Sequence, residues 1–404
     1  MSKSLTWAHL HRLKPEIGVI IVTAVDVEGE AVERRLEPLV PDRNNIIQET
    51  AVGYFGNFLA AHIHMGEAGG VPVASDVTSI LTRLREPNDP TPVVVLMPGI
   101  LCGLRRHRDD HTTGPRTELA AHQAEFLRDR SASGDRIRHA ISATLKADSS
   151  DFLEVPRYLT PELPEERDGQ FIGTLLLASH VVEYDRVSHR PGEETARESP
   201  IAAAPLSRKI RRAFELYKQA LGAAGDGKRL QTGLIASGDG LIRSYRRRED
   251  IRIGISTHRA IGVEMEGHGL AASVSRFHQR TDRNTAYFLF LKAVSDWGVM
   301  KSDAGRQSAA EESVGFLHYC LREDGNIFDQ LVRPASREHI ASVVAEVDAE
   351  LAAENSSSAV PDLTTETADF GPGQEGGPIG LRRDERGILG FHPPPPIFPP
   401  PSRL

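Results

Sequence analysis

Cysteine is scarce in this chain. Two residues, Cys102 and Cys320, occur among 404, both in apolar surroundings and without a pairing signature. That excludes a disulfide-scaffolded secreted module. Long apolar runs are missing too: nothing approaches the roughly 18–20 consecutive apolar residues of a membrane span, so no membrane partner is expected. The N-terminal MSKSLTWAHLHRLKPE lacks an apolar h-region and a small-residue cleavage site, so no secretory signal is expected and the location reads as cytoplasmic. Positive charge is not in excess. Lys and Arg number 48 against 56 Asp and Glu, a formal net charge of -8, which has the wrong sign for a nucleic-acid partner. HExxH, GxSxG and paired CxxC motifs are absent, so zinc-hydrolase and serine-hydrolase chemistry has no footing.

What is present is unevenly distributed. Apolar residues make up 39% of the chain, enough for one large core. Residues 353–404 hold 10 of the 26 prolines together with Ser and Gly clusters. That composition cannot bury enough apolar area to offset its ordering entropy, so a disordered Pro-rich tail is expected. Its polyproline runs, 393–396 and 399–401, favour an extended left-handed helix. The tail is either a ligand for another protein's aromatic groove or a solubilising end. Residues 105–167 start with a charge-dense RRHRDDHTTGPRTE and end in Pro-rich LEVPRYLTPELPEER. Helical spacing at Ile137, Ile141 and Leu145 predicts a surface insertion with one or two short helices.

The rest alternates strands and helices. Strand-like runs lie at 17–24, 61–65, 93–98, 173–182, 232–238, 260–265 and 286–294, several of them continuously apolar. Helical faces follow from Val73, Val77, Ile80 and Leu84, from Ile210, Phe214, Tyr217 and Leu221 with a C-cap at Gly222, and from Leu270, Val274 and Phe277. A last helix carries Ile340, Val344, Val347 and Leu351. The pattern predicts an α/β fold, a three-layer α/β/α sandwich around a mixed, largely parallel sheet. The organisation expected is an N-terminal extension (1–16), one domain (17–335) interrupted by the insertion, a C-terminal helix (336–352) and the tail (353–404).

Carboxylates at strand ends are the candidates for chemistry, because sites in α/β sheets gather there. Asp26 and Glu28 follow the first strand, where they either serve a site or favour a helix N-terminus electrostatically. Glu264 and Glu266 flank Met265 at the end of another strand; the period of two puts both on one face, as a ligand site or a structural ion pair. Asp296 closes a third strand ahead of Trp297. A carboxyl group in an apolar rim can serve as an acid near neutrality, or simply cap the next turn. Two glycine turns, with Gly99 and Gly103 in one and Gly238, Asp239 and Gly240 in the other, allow close backbone approach to a ligand. Neither matches GxGxxG or GxxxxGK[ST]. His107, Asp109, Asp110 and His111 have metal-ligand chemistry but sit in the charge-dense insertion without apolar support, so no metal is assigned. Arg243, Arg246, Arg247 and Arg248 read as an exposed helix face that lies close enough to a glycine turn to meet phosphates.

IGVIIVTAVDVEGEAV, VLMPGILCGLR, GTLLLASHVVEYD, GLIASGDGLI, AIGVEMEG and KAVSDWG, in that order, resemble the nucleoside phosphorylase and nucleosidase superfamily, and most closely its hydrolytic branch, which includes the methylthioadenosine/S-adenosylhomocysteine nucleosidases. SDWGVMKSDAGRQSAAEESVGF resembles phosphorylase-like domains of defence proteins. The resemblance spans 17–104 and 168–335.

It implies an N-glycosidic hydrolase acting on a small-molecule purine nucleoside or nucleotide, without cofactor or metal, assembled as a homo-oligomer. By that resemblance Glu28 activates the attacking water and Asp296 protonates the departing base, with Ser295 beside it. Glu266 accepts hydrogen bonds from the ribose hydroxyls, Met265 packs on the sugar, and Gly99, Ile100 and Gly103 form the glycine turn on the ribose side. Leu241 and Ile242 stack on the base. The family's common Arg is Lys292 here, which keeps the charge and loses the bidentate fork. A phosphorylase using Lys292 with Arg105 or Arg106, and a non-catalytic nucleotide sensor, are the alternatives.

Overall fold

Every residue of β1 (Ile17–Thr23) is buried, as a strand covered on both faces requires. β6 (Val93–Gly103) and β11 (Ala286–Asp296), each eleven residues long, are nearly as closed. These three form the middle of an eleven-stranded mixed sheet in a computed structural model, which describes residues 11–39, 46–47, 50–66, 68–86, 89–105, 169–190, 193–200, 204–242, 247–248, 251, 260–281, 285–298, 301–322, 326–329 and 331–357. The insertion beyond residue 105 and the tail beyond residue 357 lie outside the described residues, as do His107, Asp109, Asp110, His111, Arg243 and Arg246.

The remaining strands are β2 (Glu37–Pro38), β3 (Ile46–Ile47), β4 (Thr50–Phe55), β5 (Phe58–His64), β7 (Leu175–Arg190), β8 (Glu193–Pro200), β9 (Leu230–Ser237) and β10 (Gly262–Glu264). The order is β10-β9-β7-β11-β6-β1-β5-β4-β2, with β3 on β4 and β8 on β7. The helices are α1 (Asp26–Glu33), α2 (Gly70–Leu84), α3 (Ala204–Leu221), α4 (Gly267–Thr281), α5 (Asp303–Cys320) and α6 (Arg337–Ser357). Alternate strand residues feed two cores. Ile20, Val22, Val95 and Phe290 pack with α2, α4 and α6, through Val73, Leu270 and Ile340. Ile21, Val94, Leu289 and Leu291 pack with α1, α3 and α5, through Val32, Phe214 and Phe316. Contacts divide the chain into two units, Met1–Leu351 and Ala352–Leu404; of the second, 352–357 are described and helical. Among the described residues no helix is long and apolar enough to cross a membrane.

All seven strand-like runs fall on strands of this α/β fold, yet a plain three-layer sandwich does not describe the sheet. β10 pairs with β9 in parallel and with the far end of β6 antiparallel, so β6, β11, β7, β9 and β10 close into a five-stranded barrel. Two glycines permit the closure. Gly262 faces Gly103 across the new pair. A Cβ at Gly262 would press on Leu101 and Leu176 at 3.0 Å, and one at Gly103 would lie 2.5 Å from the Trp297 ring. The remaining strands, β1, β5, β4 and β2, extend from β6 as an open wing.

Candidate active site

Glu28 is held by backbone alone on one side. It is the third residue of α1 and folds back on the helix start, where Oε2 accepts the amides of Ala24 (2.8 Å) and Val25 (3.4 Å). Its Oε1 accepts the amide of Ile100 at 2.8 Å. That approach requires glycine before it: Gly99 has a φ of 151°, and a Cβ there would overlap Glu28 Oε1. The glycine turn thus fits a carboxylate from β1's end against the backbone of β6.

The paired glutamates, as their spacing predicts, both face one cavity and lie within hydrogen-bond reach of each other, but they are held differently. Glu264 caps α4, accepting the amides of Glu266 (2.7 Å) and Gly267 (2.9 Å). Glu266 instead reaches Lys292 Nζ at 3.4 Å, and the same ammonium lies 3.3 Å from Glu28 Oε1. Lys292 is wholly buried. Burial works against its charge, but Glu28, Glu266 and Glu264 outweigh it and hold the ammonium's pKa up. Burial pushes the Glu266 carboxyl up; Lys292 opposes this, while Glu264 and Glu28 reinforce it. Both ion-pair distances are long for charge-assisted bonds, so Lys292 bridges the two carboxylates without saturating either.

Asp296 ends β11 just past a register shift in its pairing with β6, between Val294 and Asp296. Its Oδ1 accepts the Gly298 amide at 2.7 Å and its Oδ2 accepts the Ser295 hydroxyl at 2.8 Å. Trp297 is buried in the adjoining core, which leaves the carboxylate at the edge of an apolar wall.

These groups converge. A cavity of about 570 Å³ is lined by Glu28, Glu266, Ser295 and Asp296, and by the apolar Ile100, Leu241, Ile242 and Met265. Three expected site residues do not line it. Gly99 lies behind Glu28, Lys292 is buried between Glu28 and Glu266, and Gly103 closes the barrel against Trp297. Cys102 also lines the wall, but burial, with Asp296 adding, pushes its thiol up to about 12, so it is a poor nucleophile. Among the described residues no His, Cys, Asp or Glu cluster is arranged to hold a metal ion.

Arg248 departs from the exposed basic face expected of it. It is buried and donates to the carbonyls of Gly103 (3.2 Å) and Leu104 (2.9 Å), tying down the end of β6. Arg247 lies over the Tyr184 ring at 5.6 Å. Asp239 faces α2, accepting the Gly70 amide at 3.2 Å. Lys301, Asp303 and Arg306 join the cavity wall. Lys301 and Asp303 are the K and D of the SDWGVMKSDAGRQSAAEESVGF segment that carries the resemblance to phosphorylase-like domains, whereas nothing in the sequence pattern singles out Arg306.

No protein-family model matches the chain, and no curated protein matches it. Solved structures do. A 5′-methylthioadenosine/S-adenosylhomocysteine nucleosidase from Neisseria meningitidis, solved with methylthio-immucillin-A, is 14% identical over 75% of this chain and 98% of its own, with a TM-score of 0.47. Futalosine hydrolase of Helicobacter pylori is 16% identical over 75% and 97%, with a TM-score of 0.46. A nucleosidase of the first kind from Borrelia burgdorferi, bound to adenine, is 13% identical over 74% and 98%, with a TM-score of 0.47.

Proposed function

We propose that the cavity binds a purine nucleoside or nucleotide and hydrolyses its N-glycosidic bond. The observation that carries this reading is the convergence of three separate strand-end carboxylates, Glu28, Glu266 and Asp296, on one largely apolar cavity. Cleaving this bond builds positive charge on the sugar and negative charge on the base. Glu28 takes a proton from water as its oxygen attacks C1′. The bonding pair leaves with the base, and Asp296 supplies the proton that neutralises it. Glu266 accepts the ribose hydroxyls, and Lys292 fixes the spacing of Glu28 and Glu266. Met265, Leu241 and Ile242 supply apolar faces for sugar and base.

Water suits this site better than phosphate as the nucleophile. The one cation contacting Glu28 and Glu266 among the described residues is Lys292, which is buried and engaged by both. A phosphate dianion brought there would meet two carboxylates. The test is chromatography of free base released from purine nucleosides and nucleotides, with and without inorganic phosphate. Release that needs no phosphate supports hydrolysis; strict phosphate dependence makes the protein a phosphorylase instead.

A further inference from the structure

The cavity carries its charge unevenly. Its buried end holds Glu28, Glu264 and Glu266 around the single ammonium of Lys292, so carboxylates outnumber cations there. Its exposed rim holds two cations and one carboxylate, Lys301, Arg306 and Asp303, so the positive charge is in excess there. Lys301 precedes α5 and Arg306 lies in that helix's first turn, and both line the cavity. Lys301 has no hydrogen bond or ion pair among the described residues. It lies close enough to the buried Cys102 to favour that thiol's ionised form, which places its charge beside the wall that Cys102 shares with Asp296. Among the described residues Arg306 pairs with Asp303 at 3.6 Å, an aspartate fully open to water, and such a pair is weak. The α5 start adds positive potential of the same sign, and the Ser302 hydroxyl takes up the Gly305 amide at 3.1 Å.

We propose that the substrate carries a phosphate, bound at this rim by Lys301 and Arg306 while base and ribose fill the buried end. This rests on the nucleosidase reading of the same cavity. A neutral nucleoside would leave Lys301 idle and Arg306 on a water-exposed aspartate. A phosphoryl group offers several charged oxygens, which suits an ammonium beside a guanidinium fork. The placement also separates two roles for the anion: the rim attracts a phosphate that belongs to the substrate, while the carboxylates at the buried end repel one arriving as nucleophile.

The test measures kcat/KM of the full-length protein for adenosine, guanosine and their 5′-mono- and triphosphates. The phosphorylated compounds should be preferred by about tenfold or more, the size expected of one or two charge-assisted contacts. In Lys301→Ala/Arg306→Ala that preference should fall about tenfold, with Arg306→Lys intermediate. A wild type that does not prefer the phosphorylated compounds, or a double variant that keeps the preference, overturns the proposal. Should no compound release base, the nucleosidase reading falls by itself, and calorimetric binding of the same compounds decides the rim. Tighter nucleotide binding that the double variant loses sustains the phosphate site; equal affinity for nucleoside and nucleotide removes it.

Discussion

Two cations are wholly buried near opposite ends of the β1–β6 pair, and they are partnered in opposite ways. Arg85 sits where both strands begin. Its five donors meet five backbone carbonyls, those of Thr91, Lys14, Leu84, Ile17 and Pro92, at 2.6 to 3.4 Å. Its nearest carboxylate, Asp89, is 3.9 Å away. Lys292 sits beside Gly99, toward the strands' far end, and among the described residues its ammonium meets two carboxylates and no carbonyl. A guanidinium whose donors all end on carbonyls has nothing left for a ligand, and works as a clasp. An ammonium between two unsaturated carboxylates keeps a charge cluster poised beside a cavity. Burial alone does not mark a functional cation; its partners do.

The contrast breaks most decisively at the cavity itself. Asp296→Asn and Glu28→Gln should each lower kcat for base release by about 10²–10⁴-fold, the range of a lost proton-transfer group. The denaturation midpoint of Asp296→Asn should stay close to that of the wild type, because Asn keeps an acceptor for the Gly298 amide and the Ser295 hydroxyl can turn to accept its NH2. Glu28→Gln should also lose about 1–3 kcal/mol of stability, because its NH2 replaces an oxygen that accepts a backbone amide. If Asp296→Asn keeps near-normal turnover, the acid is another group. The opposite end should behave in the opposite sense. Arg85→Met leaves several carbonyls without donors and should cost about 3–5 kcal/mol of stability in urea melts. At temperatures where the variant remains folded, its kcat/KM should stay within about twofold of the wild type, the scatter expected of a change that touches no substrate. Arg85→Lys, which keeps the charge but loses the fork, provides a milder version if Met does not fold.

Much of this division is legible in the amino-acid sequence. β1, β6 and β11 announce themselves as apolar runs because both faces are covered, and Glu28 and Asp296 stand out as charges at the ends of such runs. Barrel closure is not legible: β10 is three residues long, and its pairing depends on Gly262 meeting Gly103 far away in sequence. Nor is α5, whose buried face mixes Ala309, Ala310, Ser313 and Glu312 with Val314 and Phe316, too mixed for an apolar stripe. That conceals the helix which carries Arg306 to the cavity. Strands β4 and β8 escape as well; β8 reads EETARESP, mostly polar, and pairs with the C-terminal half of β7. Arg85 and Arg248 look like any surface arginine until their carbonyl partners are seen.

A finer separation concerns charge rather than rate. Lys292→Met keeps the length of the side chain and removes the cation. With no ammonium to favour the ionised forms, the acid limb of the pH–rate profile should move upward by about one unit or more. A purely structural lysine would lower stability and leave that limb where it was. Measuring kcat/KM from pH 5 to 9 separates the two.

The smallest effect expected is on the pH dependence of stability, and it again sets structure against site. His62 is buried beside Thr23, 2.9 Å from its hydroxyl; burial, with His64 adding, lowers its pKa to about 3. An unfolded His titrates near about 6.5, so the unfolded chain binds the extra proton first and stability falls as pH drops from there toward 3. Glu266 runs the other way. Its folded carboxyl is raised, so its contribution is complete below the unfolded value near about 4.3 and is lost as pH climbs through the folded one. His62→Gln should therefore flatten the acid side of a plot of urea midpoint against pH, and Glu266→Gln the alkaline side. Activity distinguishes them further: Glu266→Gln should raise KM through the ribose contact, whereas His62→Gln, which does not line the cavity, should leave KM alone. An alkaline limb that stays just as steep in Glu266→Gln would mean that another buried acid, not the one beside Lys292, holds the proton.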